Sequence, residues 1–205
     1  MKSAKEYFAD AERLEEQGKY KEAIQLLDKA ISKEQNFLGA YINRGADKSA
    51  LGDFKGAIED YMKVVTLDPN NTLTLFNIGN NYKRLDDHQS AVIYYNKAFE
   101  TKGGEGIYID FTPNAFVDLD KFDVPGHEIS YERAIAFYQL DSLNKAFTDF
   151  QHSISKDFMT ADCYQRVGYI YVSRGQKEKA CEYFQKAIDL GNKDAESDIV
   201  KYCKD

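Results

Sequence analysis

The sequence predicts an all-α chain of stacked, antiparallel helix pairs. Three observations carry this: the chain repeats itself at a shift of 34 residues, the repeated positions fall at helical spacing, and turn residues recur at one fixed place in each repeat. Ala23, Ala57 and Ala91 lie 34 apart, as do Ala146 and Ala180. The interval from Ala91 to Ala146 is 55, one period plus 21, so a single 21-residue insertion brings all five into register.

Other columns keep the same phase. Ala11, Gly45, Gly79, Ala134 and Gly168 form a small column. Ala30, Val64, Ala98, Ser153 and Ala187 form another, and Leu27, Tyr61, Tyr95, Phe150 and Phe184 form a bulky one. Small residues let two helices approach closely, and bulky ones fill the space between successive units. Gly18, Gly52, Asp86, Asp141 and Gly175 mark the turn inside each pair. Glycine ends a first helix at low cost, and Asp53, Asp87 and Ser142 then stand where they can cap the second. Pro69 closes the second unit, where a helix must stop. The predicted units are 4–37, 38–71, 72–105, 127–160 and 161–194. Three units thus span 4–105, an insertion spans 106–126, two units span 127–194, and 195–205 is left as a capping helix. Such a pair cannot bury its apolar face alone, so neighbours must stack.

These columns resemble the tetratricopeptide repeat (TPR) family, with a small residue in the first helix, two alanines around an aromatic in the second, and a closing proline. Tyr41, Gly45, Gly52, Phe54, Ala57, Tyr61 and Pro69 make the second unit the nearest match. The third (Gly79, Tyr82, Ala91, Tyr95, Ala98) and the fifth (Tyr164, Gly168, Tyr171, Gly175, Ala180, Phe184, Ala187) are close. The first has Gln35 in place of its proline, and the fourth departs most, with Ser130, Leu143 and Ser153. The resemblance implies a right-handed superhelical solenoid of five units whose inner face, lined by first helices, binds a protein or peptide partner. It implies a scaffold or adaptor and not an enzyme.

On that resemblance the inner face carries Phe8, Glu12 and Glu15 in the first unit and Ile42, Asn43, Ala46 and Ser49 in the second. It carries Leu73, Phe76, Asn77, Asn80 and Lys83 in the third, Tyr131, Ile135 and Tyr138 in the fourth, and Tyr169 in the fifth. Gly39, Ala46, Ser49 and Ala50 leave the second unit nearly bare. Phe8, Ile42, Leu73 and Phe76 either frame a pocket there or pack between adjacent helices. Asn43 and Asn77 either bond a ligand's backbone or stabilise their helices. Family members that grip chaperone C-termini use a lysine, asparagine and arginine clamp. Asn43 fits one clamp position, but Phe8, Glu12, Leu73 and Asn77 do not, so that partner is disfavoured.

The insertion is aromatic and β-branched, unlike a polar linker. Ile107, Ile109 and Phe111 alternate with Tyr108 and Asp110, which predicts an ordered, extended segment docked beside the fourth unit, as a plug in the groove or as a groove wall. In the tail, Ala195, Ile199 and Tyr202 share one helical face suited to covering the last unit.

Composition narrows the partners. The net charge is -7, and no Lys/Arg run offers the basic surface that phosphates need, so nucleic acid is not expected. Nowhere do about 18 apolar residues run together, so no membrane span is expected. The start, Met1-Lys2-Ser3-Ala4-Lys5-Glu6, runs into a charged amphipathic pattern unlike a secretory signal. Cys163, Cys181 and Cys203 are odd in number and read as small, partly buried side chains in a reducing cytoplasm. His88, His127 and His152 lie in or beside different units, without metal-ligand spacing, and Gly103-Gly104-Glu105-Gly106 lacks the Lys-Ser/Thr of a phosphate loop. No catalytic residue, metal or cofactor is expected. Self-association, or less readily a small-ligand or catalytic site built by the insertion, are the alternatives.

Overall fold

The computed structural model describes residues 2–101 and 124–204. The insertion lies almost wholly outside them, so its expected docking is not addressed. Among the described residues all regular structure is helical. The chain forms two compact bodies, residues 1–124 and 125–205. The first holds α1 (Ala4–Glu15), α2 (Tyr20–Lys33), α3 (Leu38–Ala50), α4 (Phe54–Leu67), α5 (Thr72–Arg84) and α6 (His88–Glu100). The second holds α7 (Gly126–Gln139), α8 (Leu143–Ser155), α9 (Thr160–Ser173), α10 (Lys177–Asp189) and α11 (Asp194–Tyr202). Within each body every helix packs against the next in sequence.

Three of the pairs are closed by a ring lying on a glycine. A Cβ added to Gly79 would sit 2.6 Å from Cε1 of Tyr95, and one added to Gly45 would sit 2.8 Å from the same atom of Tyr61. At Gly168 it would meet Phe184 at 2.5 Å. The bulky column therefore presses first on the small column of its own unit, and not only into the space between units as the sequence suggests. It reaches the next unit as well: Tyr61 clusters with Ala57, Ile58 and Ile78. Tyr95, Phe150, Phe184 and Leu27 are fully buried, and burying a side chain of that size contributes about 1.5–3 kcal/mol.

The turns follow the predicted column. Gly18, Gly52 and Gly175 take left-handed φ values of +71°, +84° and +68°, and Asp86 and Asp141 take 62° and 54° at the same place. Asp53 accepts from the Gly56 N–H and Asp87 from the Ser90 N–H, each at 3.0 Å. Ser142 occupies the capping position of α8, but its side chain makes no cap bond. Asn71 caps α5 through the Thr74 N–H. At α1, Ser3 and Glu6 form a reciprocal capping box.

Two buried ion pairs occupy one column pair. In the second unit Asp60, 3% exposed, takes Arg44 through both oxygens and Lys48 at 2.8 Å. In the fourth, Asp149 takes Arg133 at 2.7 and 2.8 Å. Each ties a first helix to the second helix of its unit.

The last unit is covered as expected. Ala195 of α11 is fully buried, and Tyr202 stacks on Phe184 with centroids 5.9 Å apart. The cysteines depart from the sequence reading: Cys181 and Cys203 form a disulfide between α10 and the end of α11. Only Cys163 is a free buried thiol, its pKa pushed up to about 12 by burial.

Gly79→Ala should destabilise the first body by about 1–3 kcal/mol, because the added Cβ would press on the fully buried Tyr95 ring; urea unfolding of both proteins measures it. Reduction of Cys181–Cys203, which spans 22 residues, should lower the stability of the second body by about 3 kcal/mol. Paired urea curves with and without dithiothreitol measure that loss.

Candidate functional site

In the first body a groove of about 550 Å³ opens between α3 and α5. Ala46, Ser49 and Ala50 form one wall, Asn77, Asn80, Asn81, Lys83 and Arg84 the other, and Tyr61 contributes below. The repeat builds this local surface. The turn of α3 that faces α5 has short side chains, while the facing turn of α5 has amides at positions 77, 80 and 81.

The amides are only partly engaged. Asn80 Oδ1 accepts from the Tyr95 hydroxyl at 2.7 Å, which fixes that side chain to the core ring. Asn81, 2% exposed, donates through Nδ2 to the Asn77 carbonyl at 2.8 Å. Its Oδ1 is buried and accepts from no donor. A buried amide oxygen left unpaired costs roughly 1–3 kcal/mol, which a ligand N–H would recover.

The groove gathers five of the residues named from sequence: Ala46, Ser49, Asn77, Asn80 and Lys83. Others take different places. Ile42 and Phe76 are 6% and 8% exposed, and Phe76 tilts against Tyr95, so both take part in packing between helices. Phe8 packs on Phe37, and Leu73 is half-buried. Asn43 donates to Glu15 Oε2 at 3.0 Å. In the second body Tyr131 packs against Phe150 and Phe158 and donates to Asp162, while Ile135 and Tyr138 are half-buried. Tyr169 donates to Asp198 of α11 and packs on Phe184 and Tyr202, so the capping helix already occupies it. Sequence reasoning missed Asn81 and Arg84. Asn81 stands four residues after Asn77, one helical turn along the same face, and that spacing was the available signal.

One repeat earlier stands a different constellation. Glu15, Asn43 and Asp47 precede Ser49, Asn77 and Asn81 by 34 positions each. Burial raises Glu15 and Asp47 to about 7 each, with each carboxyl also acting on the other. Glu12, beside Glu15, is raised by burial as well.

Ser130 Oγ and His152 Nδ1 lie 2.8 Å apart, but Ser130 is completely buried and cannot meet a substrate. Among the described residues no group of three or more His, Cys, Asp or Glu could hold a metal ion. No described helix is long and apolar enough to cross a membrane.

Comparison with known proteins places these features. A tetratricopeptide repeat model matches residues 38–71, 74–103 and 161–194, the three units nearest the pattern by sequence. A TPR repeat-containing protein of Methanocaldococcus jannaschii is 29% identical over 85% of this chain and 29% of its own length. Human tetratricopeptide repeat protein 16 is 27% identical over 87% of this chain and 19% of its own length. The chain therefore spans less than a third of the curated relatives it matches. Among solved structures, MamA residues 41 to the end from Desulfovibrio magneticus RS-1 superposes with a TM-score of 0.76 at 19% identity, covering 91% of this chain and 94% of that one. YrrB, described as a TPR protein with an unusual peptide-binding site, gives 0.72 at 20% identity over 91% and 86%. At these identities the likeness is one of fold.

The carboxyl pair generates a pH prediction. Both groups ionise near their ordinary values, about 4, in the unfolded chain and near 7 in the folded one. Their contribution is fully present below pH 4 and is lost as pH rises through 7. The first body should therefore lose stability between pH 4 and pH 7.5, and Asp47→Asn should flatten that slope. Urea midpoints across the range measure it; equal slopes in both proteins would contradict the assignment.

Proposed function

We propose that this chain, which belongs to the tetratricopeptide-repeat family, is a binding scaffold that holds an extended segment of a partner protein in the groove between α3 and α5. Asn81 carries the reading: a buried amide oxygen lines an open groove and lacks a donor. An extended backbone offers N–H and C=O groups at regular spacing, which amides on a helix face can pair. Ala46 and Ala50 leave room for main chain to approach. Arg84 at the exposed rim favours a carboxylate on the segment.

Amide and small side chains position a ligand by hydrogen bonding and transfer no group, so binding without catalysis is the function proposed. The peptide-binding site named for YrrB agrees with this use of the fold. A protein partner suits the acidic balance better than nucleic acid does. The cytoplasmic location expected from sequence loses its cysteine argument, since the Cys181–Cys203 bridge is at home in oxidising surroundings, and it is not part of the proposal.

Random nine-residue peptides on an array, probed with the labelled intact protein, test the reading. Asn77→Ala and Asn81→Ala should each weaken bound peptides about tenfold, the scale of 1.4 kcal/mol, with the helical circular dichroism spectrum retained. Peptide binding that is unchanged in both variants would place the site elsewhere.

A further inference from the structure

We propose that the inner face of the first body carries, beside the amide groove, a subsite for a basic side chain of the bound segment, built from Glu15 and Asp47 and steadied by Asn43. This rests on the peptide-binding reading and specifies the chemistry of its ligand.

The inference starts from an inconsistency in how the fold treats buried acids. Asp60 is answered by Arg44 and Lys48, Asp149 by Arg133, and Asp198 by the Tyr169 hydroxyl and the Gln165 amide. Asp47 is as buried as these, at 3% exposure, yet its Oδ2 accepts from no N–H group and meets only the carboxyl of Glu15. Glu15 Oε1 likewise receives no N–H and meets the Asp47 carboxyl, and Glu15 Oε2 takes the one N–H donor, Asn43 Nδ2 at 3.0 Å. The groups acting on the pair are Glu12 on α1, Asn43 on α3 and the Tyr61 ring on α4, and none is a cation. Two acids thus face each other with a proton to share and no positive charge to hold them.

An ammonium or guanidinium does what that proton does and more. It neutralises both carboxylates and supplies several N–H donors to oxygens that now lack them. A metal ion fits less well, because the described residues supply no third ligand of the usual kinds. Access comes from the Glu15 side. Glu15 is half-buried at the last turn of α1, with Glu16 exposed beside it, while Asp47 lies deeper at 3% exposure.

The repeat sets the spacing to the groove. Glu15, Asn43 and Asp47 are the same columns as Ser49, Asn77 and Asn81, so one extended segment crossing both sites meets acids first and amides next. Packed helices lie 8–10 Å apart, and an extended chain advances about 3.3 Å per residue. The basic residue therefore sits roughly three residues from the part held by Asn77 and Asn81.

The test uses the same random nine-residue array and the intact protein, each lysine- or arginine-containing peptide being paired with a norleucine copy. The expected result is a loss of about tenfold for the norleucine copies. Glu15→Gln with Asp47→Asn should abolish the difference while leaving the norleucine copies bound as before. Binding of the basic peptides should also be tighter at pH 8 than at pH 5.5, where the pair keeps its proton. Bound peptides without any Lys or Arg dependence overturn the subsite and leave the amide groove standing. So does a dependence that survives in the double variant. No bound peptide at all overturns both. If the double variant fails to fold, Glu15→Gln alone, at a half-buried helix end, carries the same comparison.

Discussion

The contact between an aromatic ring and a glycine, inside three of the helix pairs, is the constraint on which the rest depends. Tyr61 on Gly45, Tyr95 on Gly79 and Phe184 on Gly168 bring first and second helices so close that no side chain fits between. That distance fixes the tilt at which the next pair is presented, because the same ring edges reach the following first helix, as Tyr61 reaches Ile78. Local crowding is thereby converted into stacking. The groove is a by-product of this geometry. Tyr61 packs below it, and Tyr95 holds Asn80 through its hydroxyl.

Polar groups divide into those that serve packing and those that do not. Arg44 with Asp60 and Arg133 with Asp149 are hydrogen-bonded pairs inside their units, and Arg44 reaches Asp28 of the preceding unit as well. Buried pairs of this kind contribute little net energy but penalise misregistered stacking, where a lone charge would be stranded. Asn81 and the Glu15–Asp47 pair are open by contrast, and they lie along the first helices of one body. Unsatisfied groups on one face are costly to a scaffold alone and useful to one with a ligand.

The architecture was legible in the sequence because it is periodic. A fixed shift of 34 placed the helix pairs and the turn column, since each column answers to one physical requirement, and the shared face of Ala195, Ile199 and Tyr202 placed the capping helix. The positive φ at Asp86 and Asp141 follows from their sharing a column with glycines. The site was less legible. Ile42 and Phe76 read equally well as pocket frame or packing, and only three-dimensional contacts show them buried. Asn81 falls on the boundary between core and groove stripes, where one residue of helical phase decides its role. The Cys181–Cys203 pairing depends on how α11 folds back over α10, which no local pattern encodes.

The way α11 covers the last unit has a consequence for assembly. A stack of identical repeats has no intrinsic end, and an uncovered terminal face would accept the first face of another molecule, growing head to tail into a filament. Here Tyr202 lies on Phe184, Asp198 consumes the hydrogen-bonding capacity of Tyr169 and Gln165, and Cys203 ties the cover down covalently. The apolar face that α10 would otherwise present is thus spent inside the chain, and it is not the face on which another molecule could add in that way.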